Sequence, residues 1–116
     1  MDIEAFRSYC LSKKGVTEEF PFGDSTLVYK VLGKMFALTG LSFESVNLKA
    51  DPEEAMELRE RYSAVQPGYH MNKRHWNTIV LDGSVPDKLL KQWIDRSYDL
   101  VAVGLTKTQK RTLDSM

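Results

Sequence analysis

The sequence predicts an α+β domain in which an antiparallel β-sheet packs against helices. Three observations predict this class. Apolar residues recur at helical spacing near both ends of the chain and once in its middle. Between these segments they alternate with polar residues, as in half-buried strands. At 116 residues, of which 42% are hydrophobic, the chain is long enough to bury one core. We expect a single domain over residues 1–116 with the element order α-β-β-β-β-α-β-α-α.

The N-terminal part of the chain predicts a helix followed by a short strand. Asp2 is a suitable N-cap for a helix with an apolar stripe, and Gly15 is a suitable residue to end it. Residues 16–22 follow as a short strand, with a turn at residues 21–24. Cys10 lies on the apolar stripe and is the only cysteine. It is therefore expected to be a core residue, and an internal disulfide is excluded.

Residues 27–39 predict a β-hairpin with a basic tip. Apolar and polar residues alternate on both sides of Gly33-Lys34, which we expect to form a two-residue turn. Lys30 is then expected on the outer face of the hairpin and Lys34 at its tip. Residues 25–43 contain no acidic side chain, so the hairpin is predicted to be a basic projection. Lysines also commonly protect a solvated sheet edge, which remains an alternative.

The second half of the chain predicts two further strands and three helices. Residues 46–49 have the alternation of a half-buried strand in which Lys49 faces outward. A helix follows, with Asp51 as its cap and Pro52 as its first residue. The last predicted elements are a strand at 78–81, a long helix beginning near Asp87 and a short terminal helix capped by Thr106.

The stretch 67–77 has the most unusual composition in the chain. It holds both histidines, one of the two tryptophans, an asparagine and a basic pair: His70, Asn72, Lys73, Arg74, His75 and Trp76. Lysine and arginine neutralise phosphates, asparagine pairs with base edges, and tryptophan offers a stacking surface. Residues 62–81 contain no acidic side chain. The stretch therefore predicts contact with an anion or a base, unless Trp76 is buried and His70 shapes a loop.

The two histidines do not predict a metal site. His70 and His75 lie five positions apart, which places them about 140° apart on a helix and on opposite faces of a strand. No nearby Cys, Asp or Glu supplies a third ligand. We therefore expect no metal and no cofactor. An acid/base cleft built from His70, His75 and Tyr98 remains an alternative, although the sequence favours a non-enzymatic protein.

The charge balance restricts the possible partners. Sixteen Lys and Arg residues balance sixteen Asp and Glu residues, so no long-range field draws the molecule to a polyanion. Any anion contact must be made by a local patch. The chain has neither a signal-peptide pattern nor an apolar run long enough to cross a bilayer. We therefore expect a cytoplasmic protein without membrane contact, and favour a monomer.

Several short motifs, taken together, resemble the MmcQ/YjbR family. They are Phe20-Pro21-Phe22-Gly23, Tyr29-Lys30-Val31, Gly33-Lys34-Met35-Phe36-Ala37, Asn47-Leu48-Lys49, Asp51-Pro52, Pro67-Gly68-Tyr69-His70-Met71-Asn72-Lys73, His75-Trp76-Asn77 and Ser97-Tyr98. The resemblance covers nearly the whole chain. It implies a compact fold related to the secretion-chaperone-like and CyaY-like arrangements, and DNA binding by a double wing.

The leading hypothesis is a non-enzymatic DNA-binding protein that uses two basic projections, the hairpin 27–39 and the stretch 67–77. Because the net charge is zero, the binding is expected to be weak and sensitive to salt. A chaperone-like protein-interaction module is a further alternative, which rests on fold analogy. The candidate DNA-binding residues are Lys30, Lys34, Lys49, Asn72, Lys73, Arg74, His75 and Trp76.

Overall fold

The computed structural model describes residues 1–116 and confirms the α+β class. The helices are α1 (Ile3–Leu11), α2 (Pro52–Arg61), α3 (Asp87–Val103) and α4 (Lys107–Asp114). The strands are β1 (Val16–Glu19), β2 (Thr26–Val31), β3 (Lys34–Gly40), β4 (Ser45–Lys49), β5 (Val65–Pro67) and β6 (Trp76–Val80). The order matches the predicted one, with β5 as an additional short strand. Its three residues are too few to show an alternating pattern.

The six strands form one antiparallel sheet in the order β1-β2-β3-β4-β6-β5. Strand β5 lies at an edge, which is where a proline such as Pro67 is tolerated. The main core lies between one face of the sheet and the helices, where α1 contributes Phe6 and Cys10 and α3 contributes Ile94. Cys10 is buried and free, as its position on the apolar stripe predicts. None of the four helices has the length and hydropathy needed to span a membrane.

The turn of the β2–β3 hairpin lies one position earlier than the sequence predicts. Val31 pairs with Lys34, so Leu32 and Gly33 form the two-residue turn. Both have positive φ, 44° and 86°, as a type I′ turn requires. The predicted turn over Gly33-Lys34, as a type II′ turn with glycine first, would need a positive φ at Gly33 alone, whereas Leu32 also has one. The hairpin itself and the position of Lys34 at its tip are as predicted.

A β-bulge follows the turn, and α3 fills the gap that it leaves. Lys30 pairs with Met35 while Tyr29 pairs with Ala37, so Phe36 has no partner on β2. The β3–β4 ladder begins only at Ala37, one residue after Phe36. The buried hydroxyl of Ser97 donates to the Phe36 carbonyl (2.5 Å) and accepts from the backbone N–H of Lys49 (2.9 Å). Ser97 thus replaces a missing ladder bond.

A carboxylate joins α1 to the β1 edge of the sheet. The Arg7 guanidinium donates to both oxygens of Glu18 (Nε to Oε2, 2.8 Å, and a terminal nitrogen to Oε1, 2.9 Å). The buried Tyr29 hydroxyl donates to the same carboxylate (2.7 Å). The hydrogen bonds from Arg7 hold the pKa of Glu18 below its ordinary value, although partial burial opposes them. The folded state therefore favours the charged form of Glu18.

This depressed pKa predicts a pH-dependent stability difference for Glu18→Gln. Because the folded pKa lies below the unfolded value, Glu18 stabilises the protein above the unfolded pKa, about 4.3. The contribution is lost as the pH falls through the folded pKa. We expect Glu18→Gln to be less stable than the parent protein by about 1–2 kcal/mol at pH 7, and the difference to decrease as the pH is lowered toward 3. Thermal unfolding followed by circular dichroism between these pH values measures both quantities.

The control for this prediction is Glu57→Gln, an exposed position on α2 where no hydrogen bond or ion pair is lost. It is expected to unfold like the parent protein at both pH values. A stability loss in Glu18→Gln that stays the same from pH 7 to pH 3 would contradict the proposed role of the carboxylate.

Candidate nucleic-acid interface

The face of the sheet that points away from the helices, here called the outer face, carries a small apolar cluster. Val28, Leu38 and Trp76 are buried in it, and Met71 packs against them. Met71 belongs to residues 68–75, here called the β5–β6 loop. Only 7% of Trp76 is exposed, so its ring is not available for stacking against a base. The stacking role expected of Trp76 is thereby corrected: the residue holds the loop against the sheet.

The β5–β6 loop is closed by hydrogen bonds at its base. The N–H of Gly68 donates to the Trp76 carbonyl (2.9 Å), and the Asn72 carbonyl accepts from the N–H groups of His75 and Trp76. A Cβ atom at Gly68 would lie 2.8 Å from the Cβ and 2.9 Å from the carbonyl oxygen of Trp76. Glycine is therefore required for this close approach. Asn72 uses its Oδ1 to accept from the N–H of Arg74 (2.9 Å), which leaves its Nδ2 as the end free for a partner.

Arg59 of α2 supports the loop from below. Its Nε donates to Oδ1 of the buried Asn77 (2.7 Å), and its guanidinium also donates to the carbonyls of Lys73 and Trp76. The sequence alone does not single out Arg59, because the mixed charges of α2 are typical of a solvated helix face. One signal in the sequence does indicate that Arg59 faces the protein. It lies four residues after Ala55, which is buried, so the two residues are on the same side of the helix.

Three of the predicted cations already contact other groups. The Lys30 ammonium lies 3.1 Å from a carboxylate oxygen of Glu19, so its charge is paired. The ammonium groups of Lys34 and Lys73 donate to backbone carbonyls, those of Gly104 (3.2 Å) and Gly68 (3.3 Å). A carbonyl does not neutralise an ammonium charge, so Lys34 and Lys73 remain cationic.

Two predicted cations have free side chains and lie near the same end of the sheet. Lys49 and Arg74 make no side-chain hydrogen bond or ion pair within the protein. Lys49 is the last residue of β4 and pairs with Trp76, where the β5–β6 loop ends. Lys34 begins β3 at this same end, and a cavity of about 470 Å³ is lined by Lys34, Lys49 and Trp76. The hairpin tip and the β5–β6 loop are therefore neighbours.

The alternative cleft of two histidines and a tyrosine does not form. Tyr98 lies on the core side, where its ring packs edge-on against Phe36 and its hydroxyl donates to the Lys14 carbonyl (2.6 Å). His70 is exposed over the outer face, and His75 is half-buried at the base of the loop. The sheet lies between Tyr98 and His70, so the three side chains do not form one cleft. The structure contains no group of three or more His, Cys, Asp or Glu side chains able to hold a metal ion.

Comparison with known proteins agrees with the fold and with the sequence motifs. The profile of the YjbR family matches residues 11–100. The YjbR protein of Escherichia coli (strain K12) is 36% identical over 115 residues, which cover 97% of each chain. The YyaQ protein of Bacillus subtilis (strain 168) is 36% identical over 75 residues, or 64% of this chain and 63% of YyaQ.

Two solved structures extend this agreement to three dimensions. The crystal structure of Deinococcus radiodurans DR2400, a DUF419 domain, aligns with a TM-score of 0.89 and 42% identity over 97% of this chain and 87% of that one. A crystal structure of a Pseudomonas syringae protein aligns with a TM-score of 0.73 and 26% identity over 86% of this chain and 98% of that one. Together with the match over residues 11–100, these similarities establish that the chain belongs to the MmcQ/YjbR family.

Proposed function

We propose that this protein binds DNA through one end of its sheet, where the tip of the β2–β3 hairpin and the β5–β6 loop meet. The observation that carries the proposal is that Lys34 and Lys49 line one cavity beside that loop. The loop adds Lys73 and Arg74. Residues 25–43 and 62–81, which supply Lys34, Lys73 and Arg74, lack acidic side chains, whereas Lys49 lies between these segments and two residues before Asp51. This concentration of positive charge gives a protein of zero net charge a local site for phosphates.

The proposal also predicts how strongly DNA binding should depend on salt. Lys34, Lys49, Lys73 and Arg74 supply up to four phosphate contacts. Four contacts would lower the affinity for duplex DNA about a hundredfold between 50 and 200 mM salt. Each contact releases counterions from the duplex, and this release becomes less favourable as the salt concentration rises. Lys30 is left out of the proposed interface, since its charge is paired with Glu19.

The proposal predicts that Lys49→Glu combined with Arg74→Glu weakens DNA binding. These two side chains make no bond within the protein, so their replacement should leave the fold intact. We expect at least a tenfold loss of affinity for a fluorescently labelled duplex at 50 mM salt. The slope of log affinity against log salt should also fall by about two. Fluorescence anisotropy between 50 and 200 mM salt measures both effects.

A matched control is Lys88→Glu combined with Lys91→Glu, which changes the net charge equally. Both lysines are exposed near the start of α3, at the opposite end of that helix from Gly104. We expect this variant to keep at least half of the parent affinity. The proposal is wrong if the parent protein does not bind the duplex at 50 mM salt, or if both charge-reversed variants lose affinity equally.

A further inference from the structure

A groove crosses the outer face of the sheet near the C-terminal end of β3, and the β5–β6 loop connects it to the proposed DNA-binding end, where β3 begins. It has a volume of about 390 Å³ and lies between the β1–β2 loop (residues 20–25) and the β5–β6 loop. Leu38 and Asn47 are contributed by the strands, while Phe22 and Tyr69 are contributed by the two loops. This volume is within the range of small-ligand sites.

The aromatic rings of the groove are more exposed than apolar side chains of their size usually are. Phe22 is 63% exposed and Tyr69 is 70% exposed. His70, which has a positive φ of 59°, packs its ring 4.0 Å from that of Tyr69. A left-handed backbone is uncommon for a residue other than glycine, and such conformations concentrate at binding sites. The two loops thus present largely exposed aromatic surfaces to the groove.

Hydrogen bonds beneath these rings orient the side-chain amide of Asn47, which is the main polar group of the groove. The N–H of Tyr69 donates to the hydroxyl of Thr78 (2.9 Å), so the proton of that hydroxyl is directed to Oδ1 of Asn47 (2.5 Å). The Oδ1 atom of Asn47 is therefore the acceptor, and its Nδ2 is a donor that makes no hydrogen bond within the protein. The hydroxyl of Thr26 also lines the groove. The groove thus combines flat aromatic surfaces with one oriented donor, the Nδ2 of Asn47, and one hydroxyl, that of Thr26.

We propose that this groove holds one unpaired nucleobase of a DNA strand whose phosphates contact Lys73 and Arg74 of the same loop. This inference rests on the proposed DNA binding. Every base has two flat faces for stacking and at least one edge acceptor for the Asn47 amide. Lys73 and Arg74 follow Tyr69 in the same loop, so base and phosphate contacts come from one short segment.

Two measurements test this inference. The first compares the affinity of a labelled single-stranded oligonucleotide, dT12, with that of a duplex of equal length at 50 mM salt. We expect the parent protein to bind the single strand more tightly. Phe22→Ala combined with Tyr69→Ala should reduce single-strand affinity at least fivefold and duplex affinity less than twofold. Stacking contributes about 1–3 kcal/mol per base, which corresponds to a five- to hundredfold change.

The second measurement uses free nucleotides and nuclear magnetic resonance. Thymidine monophosphate should shift the side-chain amide signals of Asn47 and the backbone signals of Tyr69 and His70, whereas inorganic phosphate should not. The control variant is Phe20→Ala combined with Leu41→Ala, two exposed apolar residues that line a different cavity beside α1. It should retain parent affinity for the single strand.

The possible outcomes separate this inference from the proposed function. If duplex binding depends on Lys49 and Arg74 but single-strand binding is unchanged by the Phe22 and Tyr69 substitutions, the groove does not hold a base and the inference fails alone. If the protein binds neither oligonucleotide and thymidine monophosphate shifts no groove signal, both proposals fail. If an aromatic peptide shifts these signals and the nucleotide does not, the groove is a protein-binding site and the inference is wrong.

Discussion

Ser97→Ala is expected to lower the free energy of unfolding by about 3 kcal/mol, and the melting temperature by about 12 °C. The Ser97 hydroxyl is the hydrogen-bond partner of two backbone groups, the carbonyl of Phe36 and the N–H of Lys49. Ser97 itself is fully buried, so water has no ready access to replace the hydroxyl. Alanine would leave a donor and an acceptor unsatisfied at the bulge, and each such group costs about 1–3 kcal/mol.

Chemical denaturation and thermal unfolding measure this loss. The matched control is Ser12→Ala at the end of α1, where the hydroxyl donates to the Tyr9 carbonyl (2.7 Å) but is exposed. Because water replaces that bond, the control is expected to lose less than about 0.5 kcal/mol. Equal losses in the two variants would contradict the bridging role of Ser97. The substitution should also weaken DNA binding, because Lys49 depends on this bridge for its position.

Arg59→Met is expected to destabilise the protein by a similar amount, about 3 kcal/mol, and to loosen the β5–β6 loop. Methionine keeps the apolar length of the side chain but removes the donors to Asn77 and to the carbonyls of Lys73 and Trp76. Oδ1 of the buried Asn77 would then lack a donor. Arg59→Lys should restore little of the loss, because a single ammonium cannot reproduce the planar fork of the guanidinium.

Amide hydrogen exchange measures the loosening separately from global stability. The N–H groups of Gly68 and Trp76 close the loop at its base and should exchange faster in Arg59→Met than global unfolding explains. The control is Arg61→Met on the same helix, which is exposed and has only a contact to the Tyr62 ring, 5.8 Å away. Unchanged protection of Gly68 and Trp76 in Arg59→Met would contradict the supporting role of Arg59.

Local patterns accounted for most of the secondary structure. Asp2, Asp51 and Thr106 all accept a backbone hydrogen bond as helix caps, because capping depends only on residues within one turn. The position and type of the hairpin turn could not be predicted from local patterns. Leu32 adopts a positive φ against its intrinsic preference, and the adjoining bulge is stabilised by Ser97, about sixty residues away in the sequence.

The candidate site could be predicted only in part, because some of its features depend on contacts between residues that are distant in the sequence. The acid-free segments and the basic residues within them are properties of composition, so they could be recognised. Which cations are free depends on contacts between distant parts of the chain, such as the pairing of Lys30 with Glu19. Burial of Trp76 likewise depends on β2 and β3 lying beneath the loop.

The amino-acid sequence by itself determined the α+β class, the helix caps, the basic hairpin tip and the family to which the chain belongs. These follow from periodicity and short motifs, which require no knowledge of long-range contacts. Only the tertiary structure decided that Lys34 and Lys49 share a cavity, that Arg59 supports the β5–β6 loop, and that Asn47 lies in a groove with exposed aromatic rims. Each of these contacts joins strands or helices whose register and packing are set by the whole fold.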